Sequence, residues 1–433
     1  MKEAQILKAY EIAKERYAAI GVDTDKAVAI LEKTPISLHC WQTDDVIGFE
    51  SKDGLSGGIQ TTGNYPGRAR DIDEVRKDLE FVKTLLAGNH RVNLHEIYGD
   101  FGGKFVDRDQ VEIKHFQSWI DWAKANNFKL DFNSTSFGHP KSGDLSLANP
   151  DPAIREFWIE HTKRCRRIAD AMGKAQDDPC IMNIWVHDGS KDLTLERKRY
   201  REIFAEALDE ILKEDLPGMK TCLEAKLFGI GLESYTVGSH DFVAGYCATR
   251  KLMYTLDTGH YEQTENVSDM VASLLLFVPE LMLHVSRPVR WDSDHVTIMN
   301  DQTLDLFKEL VRADALHRAH VGLDYFDASI NRIGAYIIGV RATQRCLLSA
   351  LLEPIKQLRE YEAADKGFQR LALLEEAKSL PMGAVFDYFC LKNNVPVGTD
   401  YMAEVERYER EELSKRYRII RCAHQQAASQ MQF

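Results

Sequence analysis

The chain has 433 residues, of which 44% are hydrophobic and 28% charged. This is the composition of an ordinary globular protein, so it excludes a disordered or collagen-like chain. Asp and Glu number 67 against 55 Lys and Arg, a net charge of −12. Such an acidic total argues against a nucleic-acid-binding protein, because that affinity depends on neutralising phosphates. The length suits two or three ordinary domains or one large enzyme barrel with insertions.

Targeting features are absent from the sequence as given. Residues 1–8 carry charge where a signal peptide needs an apolar run, and the most apolar stretch, residues 270–283, is interrupted by Ser273, Pro279 and Glu280. The cysteines lie far apart, with no CxxC pair, at positions 40, 165, 180, 222, 247, 346, 390 and 422. That pattern favours a reducing compartment over a zinc ribbon or a disulfide scaffold. We expect a cytoplasmic protein with no membrane partner.

Short apolar runs bounded by polar or turn residues predict eight strands. These are Ile36–Trp41, Arg91–His95, Lys129–Phe132, Cys180–Trp185, Lys220–Glu224, Tyr254–Asp257, Leu281–Val285 and His320–Asp324. Between them lie segments with helical periodicity: Asp71–Leu86, His115–Asn126, Ala153–Met172, Leu195–Lys213, Val267–Phe277 and Thr303–Ala313. This alternation predicts an α/β protein with a (β/α)₈ TIM barrel.

The sequence contains no Gly/Ser or Pro-rich linker and no repeat of 20–50 residues. The ends of the chain are helical in pattern, over residues 3–33 and from Asn331 to about Ala423. We therefore predict an N-terminal helical arm (1–34), a catalytic barrel (35–330) and a C-terminal helical extension (331–433). The extension is expected to form subunit contacts, although a plain packing role fits the pattern equally well.

Polar side chains are concentrated where the predicted strands end. They are His39, Trp41, His95, Glu96, Asn133, Trp185, Asp188, Glu224, Lys226, Asp257, His260, His284 and Asp324. Because barrel strands are parallel, their C-terminal ends meet at one face, which is where barrel active sites lie. Gathered carboxylates repel one another and are costly to bury unless they are protonated or paired, so a divalent cation is the simplest partner for them.

Two local patterns support a metal site. Asp257 and His260 follow one strand directly, and Asp292 and Asp294 form an Asp-x-Asp pair whose members would point the same way in extended chain. Carboxylates with one imidazole per site suit Mn²⁺, Mg²⁺ or Co²⁺, and the number of ligands allows two ions. Each residue taken alone also has an ordinary structural interpretation: a solvated turn, a core histidine, a packed tryptophan or a surface lysine. Together they favour ligand clustering, since one barrel places all of them at one face.

Longer motifs are distributed along most of the chain. They are HCWQ (39–42), GGIQ (57–60), TGNYPG (62–67), MNIW (182–185), DG (188–189), KLFGIG (226–231), ESYTVGS (233–239), HVSRPVRWDSDH (284–295) and GLDYFDASINR (322–332). Together they resemble the bacterial L-rhamnose isomerases, from the first helix to about Arg416 and without the tail, residues 417–433. This resemblance implies a (β/α)₈ barrel related to the xylose isomerase superfamily.

The resemblance implies a cytoplasmic homotetramer that uses Mn²⁺ in rhamnose catabolism. It implies that one catalytic ion is bound by His260, Asp292 and Asp294. A second, structural ion would be held by Glu224, Asp257, His284 and Asp324, with Asp257 able to bridge the two. Lys226 would contact the sugar oxygens near C1, and His95 and Trp185 would lie beside the sugar. Lys226, Asp292 and His95 are thus the expected catalytic residues, with Glu224 also near the substrate.

The implied reaction interconverts L-rhamnose and L-rhamnulose, an aldose and its ketose. We expect a metal-assisted hydride shift with Lys226 as an electrostatic helper. The alternative is a cis-enediol route in which a carboxylate takes the C2 proton, and the sequence does not choose between them. Three other functions stay open: an isomerase acting mainly on another aldose, a metal-dependent barrel hydrolase or endonuclease, and a non-catalytic sugar-binding protein. The acidic charge counts against nucleic-acid substrates.

Overall fold

Eight parallel strands close into a barrel in the computed structural model, which describes residues 2–50, 61–228, 232 and 234–417. They are β1 Ile36–His39, β2 His90–His95, β3 Lys129–Asn133, β4 Cys180–Ile184, β5 Met219–Glu224, β6 Met253–Asp257, β7 Leu281–Val285 and β8 Ala319–Leu323. Each strand pairs with its neighbours in chain order, and Ile36 of β1 pairs with both His90 of β2 and Val321 of β8, which closes the ring. The predicted TIM barrel is therefore confirmed.

Fourteen α-helices surround or extend this barrel within the described part of the chain. They are α1 Glu3–Ala18, α2 Thr24–Lys33, α3 Ile72–Thr84, α4 Gln117–Ala125, α5 Pro152–Gln176, α6 Arg197–Ile211, α7 His240–Arg250, α8 Ser268–Leu274, α9 Asp301–Arg312, α10 Arg332–Leu351, α11 Ile355–Ala363, α12 Gly367–Lys378, α13 Met382–Lys392 and α14 Tyr401–Tyr408. A π-helical turn, Glu409–Leu413, continues α14.

Local chemistry explains why the barrel helices begin where they do. Asp71 caps α3 by accepting a hydrogen bond from the backbone N–H of Glu74, and Asn300 caps α9 through the N–H of Thr303. Each helix then buries one apolar face, which includes Leu79 in α3. The strands are buried on both faces, as expected for a parallel sheet covered by helices.

All eight predicted strands are present, with ends that differ by up to two residues. The first strand ends at His39, and Cys40–Gln42 forms a 3₁₀ turn that carries Trp41 into the barrel mouth. One barrel helix, α7, was not predicted. Gly245 lies in its middle, and glycine is a weak helix former, so the helical pattern is poor there.

Helix α10 occupies the place of the eighth barrel helix. It follows β8 and packs against α9 on one side and α2 and α3 on the other. The predicted division at residue 330 stays a prediction, and the structure places the eighth barrel helix on the C-terminal side of it.

The two ends of the chain pack on each other. Helix α1 lies against α13, where the rings of Tyr10 and Tyr388 stack with centroids 3.8 Å apart. No helix in the described ranges is long and apolar enough to cross a bilayer. The motif residues 57–60, 229–231 and 233, together with the tail 418–433, lie outside the described residues.

Candidate metal centre and active site

Four side chains from neighbouring strand ends form a first cluster at the barrel mouth. Glu224 ends β5, Asp257 ends β6, His284 lies near the end of β7, and Asp324 directly follows β8. One ligand atom from each lies within 4.8 Å of the others. His284 Nδ1 is at the centre, 3.3 Å from Glu224 Oε2 and 3.3 Å from Asp324 Oδ2. The parallel barrel brings these residues together because all its strands end at the same face.

Asp257, His260 and Asp292 form a second cluster that shares Asp257 with the first. His260 Nε2 lies 3.3 Å from Asp292 Oδ2 and 3.7 Å from Asp257 Oδ2. His260 Nδ1 lies 2.8 Å from the backbone oxygen of Ala225, which can only accept a hydrogen bond. That contact fixes the tautomer with the proton on Nδ1, so Nε2 keeps a lone pair that can bind a cation together with the two carboxylates.

Lys226 extends into the second cluster from just beyond β5. Its Nζ donates to Asp292 Oδ2 at 2.8 Å and lies 3.1 Å from His260 Nε2. Burial acts to lower the pKa of Lys226, but Asp292 outweighs it and holds the pKa above its ordinary value. The ammonium group is therefore a fixed positive charge beside the carboxylates. It also lies 4.9 Å from the centre of the Trp185 ring.

The crowding of acids is visible in their ionisation. Burial, followed by repulsion from Glu224 and Asp324, raises the pKa of Asp257 well above its ordinary value. Burial and repulsion from Asp292 do the same to the pKa of Asp294. In contrast, the pKa of Asp324 is lowered to about 2, because the nearby imidazole of His284 outweighs the effect of burial.

The donor set fits divalent cations. Asp257 Oδ2, His284 Nδ1 and Asp292 Oδ1 are all buried and have no hydrogen-bond partner among the described residues. Carboxylate oxygens with one imidazole per cluster are ligands that suit Mn²⁺, Mg²⁺ or Co²⁺. Two positive ions would satisfy these atoms and relieve the repulsion among the acids.

Hydrogen bonds from three other residues, Trp41, Asn183 and Thr255, hold the candidate ligands in place. The sequence did not predict this role for them. Trp41 Nε1 donates to Asp324 Oδ1 at 2.9 Å. Asn183 Nδ2 donates to Glu224 Oε2 at 2.5 Å, and Thr255 donates to Asn183 Oδ1 at 2.8 Å, which fixes the orientation of the amide. The available signal was that Asn183 and Thr255 are polar residues inside apolar strands, where a barrel core normally has branched apolar ones.

A cavity of about 640 Å³ lies beside both clusters, a size suited to a small ligand. Its lining includes the predicted residues His95 and Trp185, together with Trp41, Phe137, Leu232 and Phe326. His95 Nδ1 lies 3.1 Å from Thr135 Oγ1, and burial lowers the pKa of His95 to about 4, so its ring is neutral near pH 7. The cavity therefore has an aromatic part, which includes Trp41, Phe137 and Trp185, and a charged part formed by Lys226 and the acids of the two clusters.

Asp294 differs in geometry from the sequence expectation. It lines the cavity, but it is not among the residues that form either cluster. Its φ angle is +46°, in the left-handed region, so the backbone at Asp294 is not extended and the extended-chain geometry expected for the Asp-x-Asp pair is absent there. The other six predicted ligands do lie in the clusters.

Comparison with known proteins gives a consistent result. A sequence profile described as L-rhamnose isomerase matches residues 4–416. The L-rhamnose isomerase of Bacteroides thetaiotaomicron is 68% identical over 416 residues, which is 96% of this chain and 100% of that protein. The L-rhamnose isomerase of Rhodopirellula baltica is 51% identical over 419 residues, covering 96% of this chain and 98% of that protein.

Several solved structures of sugar epimerases are more distantly similar to this chain. An L-ribulose 3-epimerase aligns over 76% of this chain and 97% of its own, with 10% identity and a TM-score of 0.46. The closed ring of eight parallel strands establishes the barrel independently of this similarity.

Proposed function

The chain belongs to the L-rhamnose isomerase family, and from this membership we propose that it interconverts L-rhamnose and L-rhamnulose as a metal-dependent aldose–ketose isomerase. The observation that carries the proposal is the pair of carboxylate–histidine clusters that share Asp257 beside a cavity of about 640 Å³. Isomerisation needs electrostatic stabilisation next to a bound sugar, and this arrangement provides a place for both.

We assign the cofactor as Mn²⁺, for which Co²⁺ or Mg²⁺ could substitute. In this assignment His260, Asp292 and Asp294 bind the catalytic ion, and Glu224, Asp257, His284 and Asp324 bind a structural ion. The position of Asp257 in both clusters supports a bridging role. Asp294 would join the catalytic ion from the cavity wall, where it already lies.

The reaction moves a hydrogen from C2 to C1 and a proton from O2 to O1. A divalent cation, when bound, supplies a Lewis acid that stabilises negative charge on these oxygens. Lys226 adds a fixed positive charge that can donate hydrogen bonds to the sugar oxygens near C1. Neutral His95 can donate to or accept from a sugar hydroxyl, and the rings of Trp185 and Trp41 shield the reacting atoms from water.

We propose that the hydrogen moves as a hydride rather than through a cis-enediol. The support is the fixed charge of Lys226, which stabilises charge on oxygen without a base at C2. Turnover in D₂O tests this directly, since a hydride shift keeps the C2 hydrogen and incorporates little deuterium at C1 of the product. Substantial deuterium at C1 would identify the enediol route instead.

We also propose that the enzyme is a cytoplasmic homotetramer. The cysteines of the described residues are all unpaired and buried, a pattern that suits a reducing compartment. Large apolar side chains are exposed on the outer helices, including Ile12 of α1 and Phe368 and Leu371 of α12. Such side chains are consistent with contacts between subunits.

A panel of aldoses assayed before and after metal removal tests the proposed function. With Mn²⁺ present, L-rhamnose should be isomerised most efficiently. Treatment with EDTA should abolish the activity, and added Mn²⁺ should restore it, because the clusters need cations to hold their acids together. A higher rate with a different aldose would change the substrate, and no isomerisation of L-rhamnose with any divalent metal would refute the proposal.

A further inference from the structure

The carboxylate of Glu409 joins three distant parts of the chain. Glu409 begins the π-helical turn after α14. Its Oε1 accepts a hydrogen bond from the hydroxyl of Tyr65 at 2.8 Å, and its Oε2 accepts one from Asn331 Nδ2 at 2.8 Å. Tyr65 lies between β1 and α3, and Asn331 caps α10 after β8. The C-terminal turn therefore contacts both the segment that follows β1 and the segment that follows β8.

Buried contacts hold this turn against the barrel. Asp78 of α3 is 1% exposed and accepts hydrogen bonds from the hydroxyl of Tyr408 at 2.7 Å and from Arg416 at 2.7 and 2.6 Å. The rings of Tyr408 and Phe81 stack with centroids 4.0 Å apart. Glu409 thus lies in the chain between Tyr408 and Arg416, both of which are hydrogen-bonded to Asp78. These bonds give the side chain of Glu409 a defined position.

The segment that contains Tyr65 pairs with the chain that follows β8. Thr62 and Gly63 pair in parallel with Asp327 and Ala328, and the backbone N–H of Tyr65 donates to the oxygen of Ala328 at 2.7 Å. Gly63 has a φ of +91°, and a Cβ there would lie 2.5 Å from the Ala328 oxygen. Only glycine allows this close approach, so the pairing of the two segments requires glycine at position 63.

The same segment holds the loop that carries Asp292. Thr62 Oγ1 donates to the backbone oxygen of Ser293 at 2.7 Å. On the other side, the backbone N–H of Val296 donates to Asp327 Oδ2 at 3.0 Å. The loop is therefore attached by one hydrogen bond to each of the two paired segments. Tyr65 follows the first of these segments and Asn331 follows the second.

This loop needs such support because its backbone is strained. Arg290 and Asp294 have φ angles of +66° and +46°, which residues other than glycine rarely adopt. Conformations of this kind persist only when the surrounding contacts maintain them. By comparison, the first cluster is carried by the strand ends of the barrel, whose positions the sheet already fixes.

We propose that Glu409 is a positioning residue for the second cluster. Its hydrogen bonds to Tyr65 and Asn331 keep the two paired segments, 62–63 and 327–328, in register. The hydrogen bond from Thr62 to Ser293 then holds the neighbouring residue Asp292 beside His260. Glu409 thereby sets the affinity of the cation bound by Asp257, His260 and Asp292, and has little influence on the first cluster. This inference rests on the metal-dependent function proposed above.

The test measures Mn²⁺ binding to metal-free full-length protein by titration calorimetry. Asp292→Asn identifies which binding step belongs to the second cluster. We expect Glu409→Ala and Tyr65→Phe to weaken that step about tenfold and about threefold, respectively, and to leave the other step within twofold of the parent value. Glu409→Gln should recover most of the affinity, since its amide can accept from Asn331 and donate to the Tyr65 oxygen.

Glu411→Ala is the matched control. Glu411 lies in the same π-helical turn, is exposed, and pairs with Arg407 at the surface at 2.9 Å. Its removal should leave both binding steps unchanged. Thermal unfolding of each metal-free variant checks the fold, and Tyr65→Phe, which removes one hydroxyl, carries the test if Glu409→Ala does not fold.

The outcomes separate the positioning role from the proposed function. Equal weakening of both steps, unchanged affinity in Glu409→Ala and Tyr65→Phe, or the same loss in Glu411→Ala would each contradict the positioning role. No Mn²⁺ binding by the parent protein would instead contradict the metal-dependent function itself.

Discussion

Asp257 is the residue on which the two clusters depend. One of its oxygens, Oδ1, accepts the backbone N–H of Gly259 at 2.6 Å, and this bond orients the carboxylate. The other, Oδ2, faces His260 Nε2 at 3.7 Å and His284 Nδ1 at 3.9 Å. A single oxygen atom is therefore directed at both clusters, and its buried position explains why the pKa of Asp257 is raised so strongly.

Buried neutral histidines away from the metal centre affect stability in acid. His161 Nε2 accepts the backbone N–H of Thr135 at 3.1 Å, and its Nδ1 lies 3.1 Å from the backbone oxygen of Arg108. Burial, followed by the charge of Arg108, lowers the pKa of His161 to about 3, and burial lowers the pKa of His90 to about 4. Between pH 6.5 and 4, both rings are therefore neutral in the folded protein but protonated in the unfolded chain.

The contribution of these two histidines to the free energy of unfolding should therefore weaken as the pH falls below 6.5, the ordinary pKa of histidine. Between pH 6.5 and 4 the unfolded chain binds protons that the folded protein excludes, so stability present above pH 6.5 is lost on acidification. For each such histidine the loss at pH 5 is about 2 kcal/mol. Urea unfolding of the metal-free parent protein and of a histidine variant, each at pH 7 and pH 5, measures it. The comparison is needed because acids with a raised pKa, such as Asp257, act in the opposite direction.

Variants assign this pH dependence to particular residues. His161→Asn should reduce the difference between the two pH values, because one excluded proton is gone. His317→Asn is the control, since His317 is exposed and should leave the difference unchanged. An equal pH dependence in the parent protein and His161→Asn would show that His161 does not contribute.

At the scale of elements, the packing of α5 against the turn before β5 is closer than a side chain allows. A Cβ on Gly173 would lie 1.6 Å from the backbone oxygen of Gly218. Gly173→Ala should therefore force the helix away from β5 and cost about 3 kcal/mol or more in the free energy of unfolding. The midpoint of urea unfolding checks this.

Gly245→Ala is the matched control, because Gly245 also lies within a barrel helix, α7, and a Cβ there would meet no atom within 4 Å. Alanine is the better helix former, so this variant should be about 1 kcal/mol more stable. Similar unfolding midpoints for the two variants would show that the contact at Gly173 is not tight.

The elements also show which parts of the fold are predictable from sequence. Strands such as β7 are short apolar runs with clear boundaries, and parallel pairing then brings their ends together without further information. Helix α7 could not be predicted because Gly245 interrupts its pattern. The left-handed backbone conformation at Asp294 could not be predicted either, since an Asp-x-Asp pattern alone does not indicate it.

At the scale of the whole molecule, the acidic composition and the two carboxylate–histidine clusters are separate features. The net charge of −12 is mostly a property of the surface and indicates only that nucleic acid is an unsuitable partner. The placement of a few acids at one face could be anticipated from the barrel topology. The contact between Glu409 and Tyr65, by contrast, joins residues 344 positions apart, and no local pattern in the sequence indicates it.

Anomalous X-ray diffraction from crystals loaded with Mn²⁺ tests the central claim most directly. We predict two anomalous difference peaks at the barrel mouth. One should lie among Glu224, Asp257, His284 and Asp324. The other should be bound by His260, Asp292 and Asp294, on the opposite side of Asp257. The absence of both peaks from the mouth, or peaks only at other places on the molecule, would contradict the assignment of these clusters as the metal centre.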